Sequence, residues 1–421
     1  MNKIYFTIII GLSLFAAMAF SPVLNAQVVL KSDSVTMGLY YADEIYYSMK
    51  NGEVSFYARN SWDIAFRTKI MSSSIITNDG TSVVLWSYPK ADTAGWVTVD
   101  TSGLSTWTRM FNDPSDWENG AFSRNAQGHP DYGWGKYNDQ THDIVGDSLL
   151  IIKLRDGSFR KLRIIRKNSV NNIYYFRTAN LDGTGQQDLS INCNNYIAKD
   201  FIGFSLETNL AVDYQPVKAD WDIVFTKYMS IQSGGQPYPV TGVLSNDVVK
   251  SKKFFPVSLD YVDYTHGDWD STRSSVGWEW KYIDTNYVYH IVDSTVYFVK
   301  SLGGDIYKLV FLKFAGSSTG VIVFETAKVA GLGITGKTIS GEMNIYPNPA
   351  VNQVQVSFTR ASSEPALLEL SDLAGRILER RSLESGFSQL SLDVSRLGRG
   401  IYFIRISSQE GSLSKKVMIS R

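Results

Sequence analysis

The chain holds few side chains of the types that carry out chemistry. Its four histidines are His129, His142, His266 and His290, and its single cysteine is Cys193. Neutral imidazole is a common metal ligand because its ring nitrogen offers a lone pair, so the histidines are the first candidates for a binding site. One cysteine alone can form neither an intrachain disulfide nor a cysteine metal cluster.

The sequence favours no class of enzyme. It contains no H-E-x-x-H, G-x-S-x-G, Walker or dinucleotide-binding motif. Asp113 and Asp116, near Trp117, could serve a glycosidase, because two carboxylates a few ångströms apart can share acid and base roles. Aspartates in such positions of β-proteins are more often turn formers. We therefore expect a protein that is not an enzyme.

Aromatic residues lie close in sequence to all four histidines: Tyr132 and Trp134 follow His129, Tyr137 precedes His142, Trp269 follows His266, and Tyr287 and Tyr289 precede His290. Tyrosine-rich stretches occur throughout the chain, however. A histidine at the beginning of a strand that makes only a structural hydrogen bond would show the same pattern. Both roles stay open for each histidine.

Composition indicates a β-rich protein of two or three domains. The chain has 421 residues, of which 13% are aromatic, together with many Ser, Thr, Asn, Asp and Gly residues. No long stretch has helical periodicity with capping residues, so we expect antiparallel sheets. Basic and acidic residues both number 41, and this neutral balance gives no support for nucleic-acid binding.

The first residues are typical of a secretory signal peptide. A short basic start precedes the apolar run IYFTIIIGLSLFAAMAF, and we predict cleavage after Ala26, with Ala19 as the alternative site. The run is shorter than the ~20 apolar residues that a membrane span usually needs. No other stretch could cross a bilayer, so we predict no transmembrane segment.

The chain contains an internal repeat. Residues 60–71, NSWDIAFRTKIM, return as ADWDIVFTKYM at 219–229, and later segments follow in the same order, with His290 lying 148 residues after His142. We therefore predict that these two histidines occupy equivalent places, just before a strand. Alternation predicts a strand with Trp62, Ile64 and Phe66 on one face in the first W-D phrase, and likewise Trp221, Ile223 and Phe225 in the second. Asp63 and Asp222 are expected to hydrogen-bond neighbouring turns.

These residues resemble the HmuY-like family. The resemblance rests on W-D-I-A-F, the Ser/Asn-rich turn at 72–82, the Trp/Tyr-rich centre, and LRDGSFRKLRI before YYFRTANLDG. It covers about residues 28–198 and, more weakly, 200–332, where the RDG stretch has become GGDIYKL. It implies two tandem antiparallel β-units, which we place at residues 27–199 and 200–332, in an exported protein of a Gram-negative bacterium.

The best-known members of that family bind haem, so the resemblance implies haem as ligand and cofactor. His142, His290, His129 and His266 are then the candidate axial ligands, and no metal other than haem iron is expected. Some relatives use methionine, for which Met71, Met110 and Met229 are available. The alternative function is a surface adhesive or carbohydrate- or peptide-binding module that uses exposed aromatic rings: Trp96, Trp107, Trp117, Trp134, Trp269, Trp278 and Trp280.

The tail is similar to another family. After a Gly/Thr/Ser-rich joint at 333–342, the phrases IYPNPA, LLELSDLAGRIL, LDVSRLGRGIYFIRIS and SKKVMISR follow in order. They resemble the C-terminal sorting domain of type IX secretion, covering residues 343–421. This implies a small β-sandwich, the type IX machinery as partner, and a protein that ends outside the cell or on its outer surface.

Overall fold

The structure is a computed structural model that describes residues 30–232, 235–330, 343–358, 365–372, 376–408 and 411–420. The predicted signal peptide at 1–26 and the predicted joint at 333–342 lie outside these residues.

The protein is all-β, as predicted. The described helices are 3-10 turns of three or four residues: Leu39–Tyr41, Arg59–Ser61, Asp79–Thr81, Thr93–Trp96, Leu104–Thr106, Ala121–Ser123, Cys193–Tyr196 and Gly316–Ser318. Two groups of strands lie before and after residues 331–342. The first group, which we call the body, comprises β1 Lys31–Thr36, β2 Asp43–Ser48, β3 Gly52–Ala58, β4 Ile64–Arg67, β5 Ile75–Thr77, β6 Val84–Ser87, β7 Arg109–Met110, β8 Gly135–Tyr137, β9 Ile144–Gly146, β10 Leu150–Lys153, β11 Phe159–Asn168, β12 Ile173–Asn180, β13 Gln187–Asn192, β14 Phe201–Ser205, β15 Leu210–Val212, β16 Ile223–Ile231, β17 Pro237–Ser245, β18 Lys250–Phe254, β19 Lys281–Ile283, β20 Tyr289–Ile291, β21 Val296–Lys300, β22 Ile306–Phe314 and β23 Val321–Ala330.

The tail contains the remaining strands: β24 Met343–Tyr346, β25 Gln353–Phe358, β26 Ala366–Asp372, β27 Ile377–Leu383, β28 Gln389–Asp393, β29 Gly400–Ser408 and β30 Gly411–Ile419. They form two antiparallel sheets, β24-β25-β28 and β27-β26-β29-β30. One core lies between the sheets and includes Val354, Leu368 and Ile404. The tail is thus the small sandwich predicted from its sequence.

Four main sheets form the body. We call β13-β12-β11-β10-β6-β7, with β8 and β9 attached, outer sheet 1, and β15-β14-β4-β5 inner sheet 1. We call β17-β16-β2-β3 inner sheet 2, and β1-β23-β22-β21-β18 outer sheet 2. The hairpin β19-β20 pairs separately. The register is antiparallel throughout these sheets, as expected for strands joined by short turns.

Buried side chains divide these sheets into four layers. A first core joins outer sheet 1 to inner sheet 1, a central core joins the two inner sheets, and a second core joins inner sheet 2 to outer sheet 2. Along β16, Val224 faces the central core, whereas Ile223 and Phe225 face the second core. Strands that are covered on both faces read as unbroken apolar runs such as LLII at 149–152.

The first W-D phrase differs in one respect from its prediction. Ile64 and Phe66 face the first core together, but Trp62 lies in the central core, where its ring stacks on Tyr214 at 4.5 Å. The strand begins only at Ile64, and Ala65 is buried on its opposite face. The period-two pattern therefore starts after the tryptophan.

The strand pairing crosses the unit boundary predicted between residues 199 and 200. β14, at Phe201–Ser205, pairs with β4 of inner sheet 1. At the other end of the body, β1 pairs with β23 and β2 pairs with β16, so residues 31–58 complete the two sheets that are otherwise made from residues 223–330. We call residues 62–212 the first copy, and residues 221–330 together with 31–58 the second copy.

The aspartate of each W-D phrase joins segments that are far apart in sequence. Asp63 Oδ2 accepts a hydrogen bond from the backbone N–H of Leu206 at 2.7 Å. Asp222 Oδ2 accepts from the N–H of Met49 at 2.7 Å, and its Oδ1 accepts from that of Leu302 at 2.8 Å. The structural role predicted for both aspartates is confirmed, and the repeated W-D phrase makes the same kind of link in each copy.

Candidate functional site

The tryptophans fill the cores. None of the ten is exposed, and Trp134 and Trp280 are almost wholly buried in the first and second cores. Trp96 and Trp107 pack in a cluster on the far side of outer sheet 1, and Trp269 packs on the far side of outer sheet 2. The prediction of an adhesive surface made of exposed tryptophans is therefore wrong, because the stacked sheets use these large rings to fill the spaces between layers.

Tyrosines supply an exposed aromatic surface instead. Tyr282, Tyr287 and Tyr289 all lie on or at the tip of the β19-β20 hairpin, and each is exposed. Tyr289 packs edge-on against Phe314 at 4.7 Å, and Tyr41 stacks on the same ring at 5.9 Å. The exposed neighbour of Tyr41 is Tyr40. We call Tyr40, Tyr282, Tyr287 and Tyr289 together the tyrosine surface; Tyr282 lies on the hairpin face of its cross-strand partner His290, whereas Tyr289 points to the other face, towards Phe314.

Two members of the tyrosine surface have an unusual backbone conformation. Tyr287 has a φ of 61° and its side chain is 86% exposed; Tyr40 has a φ of 54° and is 74% exposed. This left-handed region costs a bulky L-residue about 1 kcal/mol or more. Glycine would be the unstrained choice at these turns, and burial gives these tyrosines little compensation. Such strain at exposed rings is typical of residues with a functional role.

Polar groups border the rings of the hairpin. His290 Nε2 lies 3.0 Å from Asp284 Oδ2, and its ring stacks on Tyr282 with centroids 5.2 Å apart. A hydrogen bond from the backbone N–H of Val288, followed by the one from His290, lowers the pKa of Asp284, so this carboxylate stays ionised as an acceptor. Flat apolar faces beside hydrogen-bonding groups suit a ligand that is apolar on one face and polar at its edges.

The four predicted histidines are all exposed, and they do not form one cluster. His290 belongs to the hairpin just described, and His266 pairs with Asp263 at 3.1 Å. His129 and His142 lie near each other, because both contact Tyr137: the His129 ring is 5.3 Å from it, and His142 Nδ1 is 2.7 Å from its hydroxyl.

The equivalence predicted for His142 and His290 is wrong. In the first copy, Ile144 pairs with Tyr137, and His142 lies in the preceding turn with a φ of 60°. In the second copy, His290 lies within β20 and pairs with Tyr282. The residue that holds the turn position of His142 is Tyr287, with a φ of 61°. The spacing of 148 residues between the two histidines did not indicate equivalent positions, because the turns of the two hairpins differ in length.

A cleft of about 460 Å³ brings His129 close to one of the predicted methionines. Met71, whose side chain is 89% exposed, borders the same cleft. The remaining lining includes three carboxylates against a single arginine: Ser73, Asp116, Glu118, Asn119, Ser123, Arg124, Ala126, Gly128, Asp131 and Tyr132. Imidazole and thioether suit haem iron, but this lining does not fit the apolar faces of a porphyrin. Met110 and Met229 are buried and do not border it.

The inner sheets enclose charged groups that no sequence pattern indicated. Glu44 accepts hydrogen bonds from Thr226 at 3.1 Å and Tyr46 at 3.2 Å. Burial raises the pKa of Glu44 to about 7, although the nearby Arg59 guanidinium opposes the shift. An internal cavity of about 50 Å³ borders Glu44 and Asp79. It is far smaller than the roughly 300 Å³ of an organic ligand's pocket, so these groups are structural.

Among the residues that the structure describes, no group of three or more His, Cys, Asp or Glu side chains is arranged to hold a metal ion. No helix in the described ranges is long and apolar enough to cross a membrane. Cys193 is free and buried, and this burial raises the pKa of its thiol to about 12, which disfavours the reactive thiolate.

Comparison with known families decides the identity of the tail. Residues 344–420 match the family model described as "Secretion system C-terminal sorting domain". The chain carries a type IX secretion C-terminal sorting domain. Its sandwich of β24–β30 agrees with the prediction from sequence. The protein is therefore exported to an extracellular or cell-surface location, and the tail interacts with the secretion machinery.

This match covers the tail and does not extend into the body. The curated proteins contain no matching relative. Among solved structures, the chain is similar to a "Biofilm associated protein - BSP domain" with 10% sequence identity, covering 94% of this chain and 67% of that chain, at a TM-score of 0.16. A TM-score this low carries no argument about fold or function. The resemblance of the body to HmuY-like proteins stays a prediction.

Proposed function

We propose that this exported protein binds carbohydrate at the cell surface, without catalysing a reaction, and that Tyr282 and Tyr287 of the tyrosine surface form its contact face. The observation that carries the proposal is Tyr287, an exposed ring at the hairpin tip that is held in a left-handed backbone conformation beside Asp284 and His290. Sugar rings stack on flat aromatic faces through their apolar C–H groups, and their hydroxyls require nearby polar partners such as Asp284 and His290.

The position of the tyrosine surface within the body supports this role. Tyr289 packs against Gly316, in the turn that precedes β23. The chain leaves the body at the opposite end of β23, at Ala330, and continues towards the sorting domain. A ten-residue strand is roughly 30 Å long. The tyrosine surface therefore lies about one strand length from the end of the body that leads to the sorting domain.

The test is binding of the mature protein to soluble polysaccharides, measured by affinity electrophoresis and then by calorimetry. The double variant Tyr282→Ser/Tyr287→Ser removes two exposed rings that support no core. Each stacked ring contributes about 0.5–1.5 kcal/mol, so we expect binding to weaken by roughly 5- to 150-fold. Tyr238→Ser, at an exposed tyrosine of β17, is the matched control and should bind like wild type. Equal binding by the double variant and the control would contradict the proposal.

Haem binding is the second candidate, because His129 and Met71 border one cleft. Haemin titration of the mature protein should then give a saturable shift of the Soret band that His129→Ala and Met71→Ala each reduce. His266→Ala is the control, since its exposed imidazole pairs only with Asp263 among the contacts described. A linear, unsaturable titration would reject haem.

A further inference from the structure

The N-terminal strand segment, residues 30–58, pairs with strand edges of β23 and β16 in the rest of the second copy, and we call this binding site the seat. β1 pairs along the edge of β23 from Lys31↔Thr326 to Thr36↔Val321. β2 pairs with β16, and β3 continues that sheet. The segment therefore contributes an edge strand to outer sheet 2 and two strands to inner sheet 2, and both of these sheets need it for their full width.

Side chains of the segment fill the second core from both sheets. Val35, Met37, Ile45, Tyr47 and Met49 are all buried there. The Tyr47 ring meets Phe324 edge-on at 5.2 Å and Phe225 at 6.2 Å. Removing the segment would therefore expose the apolar inner faces of β16 and β23.

Polar contacts fix the segment in register. The Met49 N–H donates to Asp222, and the Met37 N–H donates to the carbonyl of Gly320 at 3.0 Å. Arg59, directly after the segment, donates to the carbonyls of Tyr41 and Gly80. These contacts therefore fix the register of the segment, and its buried side chains determine which sequence fits.

The first copy shows the uninterrupted form of the same arrangement. There, β12 and β13 are joined by a short turn containing Gly183, and β13 pairs with β12 as β1 pairs with β23. In the second copy the corresponding connection is absent, because the partner strands lie at opposite ends of the body. The seat is complete only once β23 has been made, and the segment is joined to the rest of the body by the short turn Arg59–Ser61, whose opening would let a segment pass to another molecule.

We propose that residues 221–330 form a strand-acceptor site whose ligand is the N-terminal strand segment of this chain, taken from its own molecule or from a second copy. This inference is independent of the proposed carbohydrate binding. It makes the body a self-complemented fold, in which the segment made first docks last. Two copies that fold close together can then exchange segments without any new contact.

The test separates the segment from its seat in the mature protein. A protease site inserted between Asn60 and Ser61 allows the purified, folded protein to be cut. The cut protein is partly unfolded in urea with a tenfold excess of a fluorescent peptide of residues 30–60, and then refolded. Mass action predicts that about nine-tenths of the protein then carries the labelled peptide on gel filtration.

Two controls keep the result interpretable. A peptide with Ile45→Asp and Tyr47→Asp should not be retained, because both side chains are buried in the second core. The same protease site placed in the exposed turn after Gly183 shows whether insertion and cutting are tolerated. The proposal is overturned if the labelled peptide does not enter protein that regains its sheet signal in circular dichroism, or if the doubly substituted peptide enters equally well.

Discussion

Replacement of Glu44 by glutamine tests the charged centre of the body. Glu44 lies on β2 in the contact between the two inner sheets, and burial raises its pKa from the ordinary 4.5 to about 7. At 1.36 kcal/mol per pKa unit, this rise means that the free energy of unfolding is lower by roughly 3 kcal/mol when the carboxylate is ionised. Glutamine has nearly the same shape and carries no charge.

The direction in which stability changes with pH follows from the protonation of Glu44 in the folded and in the unfolded chain. Below pH 4.5, Glu44 is protonated in both the folded and the unfolded chain, and its full contribution to stability is present. Between pH 4.5 and about 7 the unfolded chain ionises first, so stability falls as the pH rises. Above pH 7 both states are ionised and the loss is complete.

The assay is urea unfolding of wild type and Glu44→Gln at pH 4.5, 6 and 8, followed by tryptophan fluorescence. We expect similar free energies of unfolding at pH 4.5 and a variant that is more stable by up to about 3 kcal/mol at pH 8. Glu53→Gln, at an exposed position of neighbouring β3, should differ little from wild type at any pH. A difference between Glu44→Gln and wild type that does not change with pH would refute the reasoning.

Three further outcomes are expected. In Asp222→Asn, the side-chain NH2 group replaces one of the two carboxylate oxygens that accept from the backbone N–H groups of Met49 and Leu302, so one N–H loses its acceptor. The free energy of unfolding, measured by urea titration, should fall by about 2–3 kcal/mol. Burial lowers the pKa of Lys281 from 10.5 to about 7. Between pH 7 and 9 the unfolded chain alone stays protonated at this residue, so the free energy of unfolding of the wild type should rise by up to about 3 kcal/mol. Lys281→Met should abolish this rise, which urea unfolding at both pH values will show. Truncation after Ser340 removes the sorting domain, and cell fractionation should then find the protein in the periplasm; normal surface display would contradict its assigned role.

The sequence predicted the fold class and the tail because both depend on local patterns. Alternating apolar residues, turn residues and the four ordered phrases after Met343 are each read within a few tens of residues. The repeat was likewise visible from the phrases around Trp62 and Trp221. These signals reflect burial, which acts on every strand in the same way whatever its partner.

The split second copy could not be predicted in this way. Its decisive pairs, such as Lys31↔Thr326 and Tyr47↔Ile223, join residues that are far apart in sequence. Strand pairing uses backbone groups that every residue carries, so the partner of an edge strand leaves little trace in composition. The segments β1–β3 and β13–β15 correspond in structure but share few side chains, which hid their equivalence.

The candidate site was missed for a related reason. Sequence reasoning treated Tyr287 and Tyr289 as surroundings of His290 and assigned contact roles to tryptophans. In stacked sheets the largest rings are those that the cores bury, so tryptophan number is a poor guide to surface chemistry here. A usable signal was present in KYIDTNYVYH, where a polar turn separates closely spaced tyrosines on a short hairpin.

The two W-D phrases explain how an exported body without a disulfide can hold its ends together. Asp63 links the start of β4 to the end of β14 within one continuous copy, whereas Asp222 links the start of β16 to the end of β2, which comes from the beginning of the mature chain. A disulfide at this place would have constrained the same segments covalently. The buried carboxylate achieves a related restraint with backbone N–H groups, and it does so only in the folded state. The link made by Asp222 therefore becomes complete only once Leu302, its second backbone donor, has been synthesised.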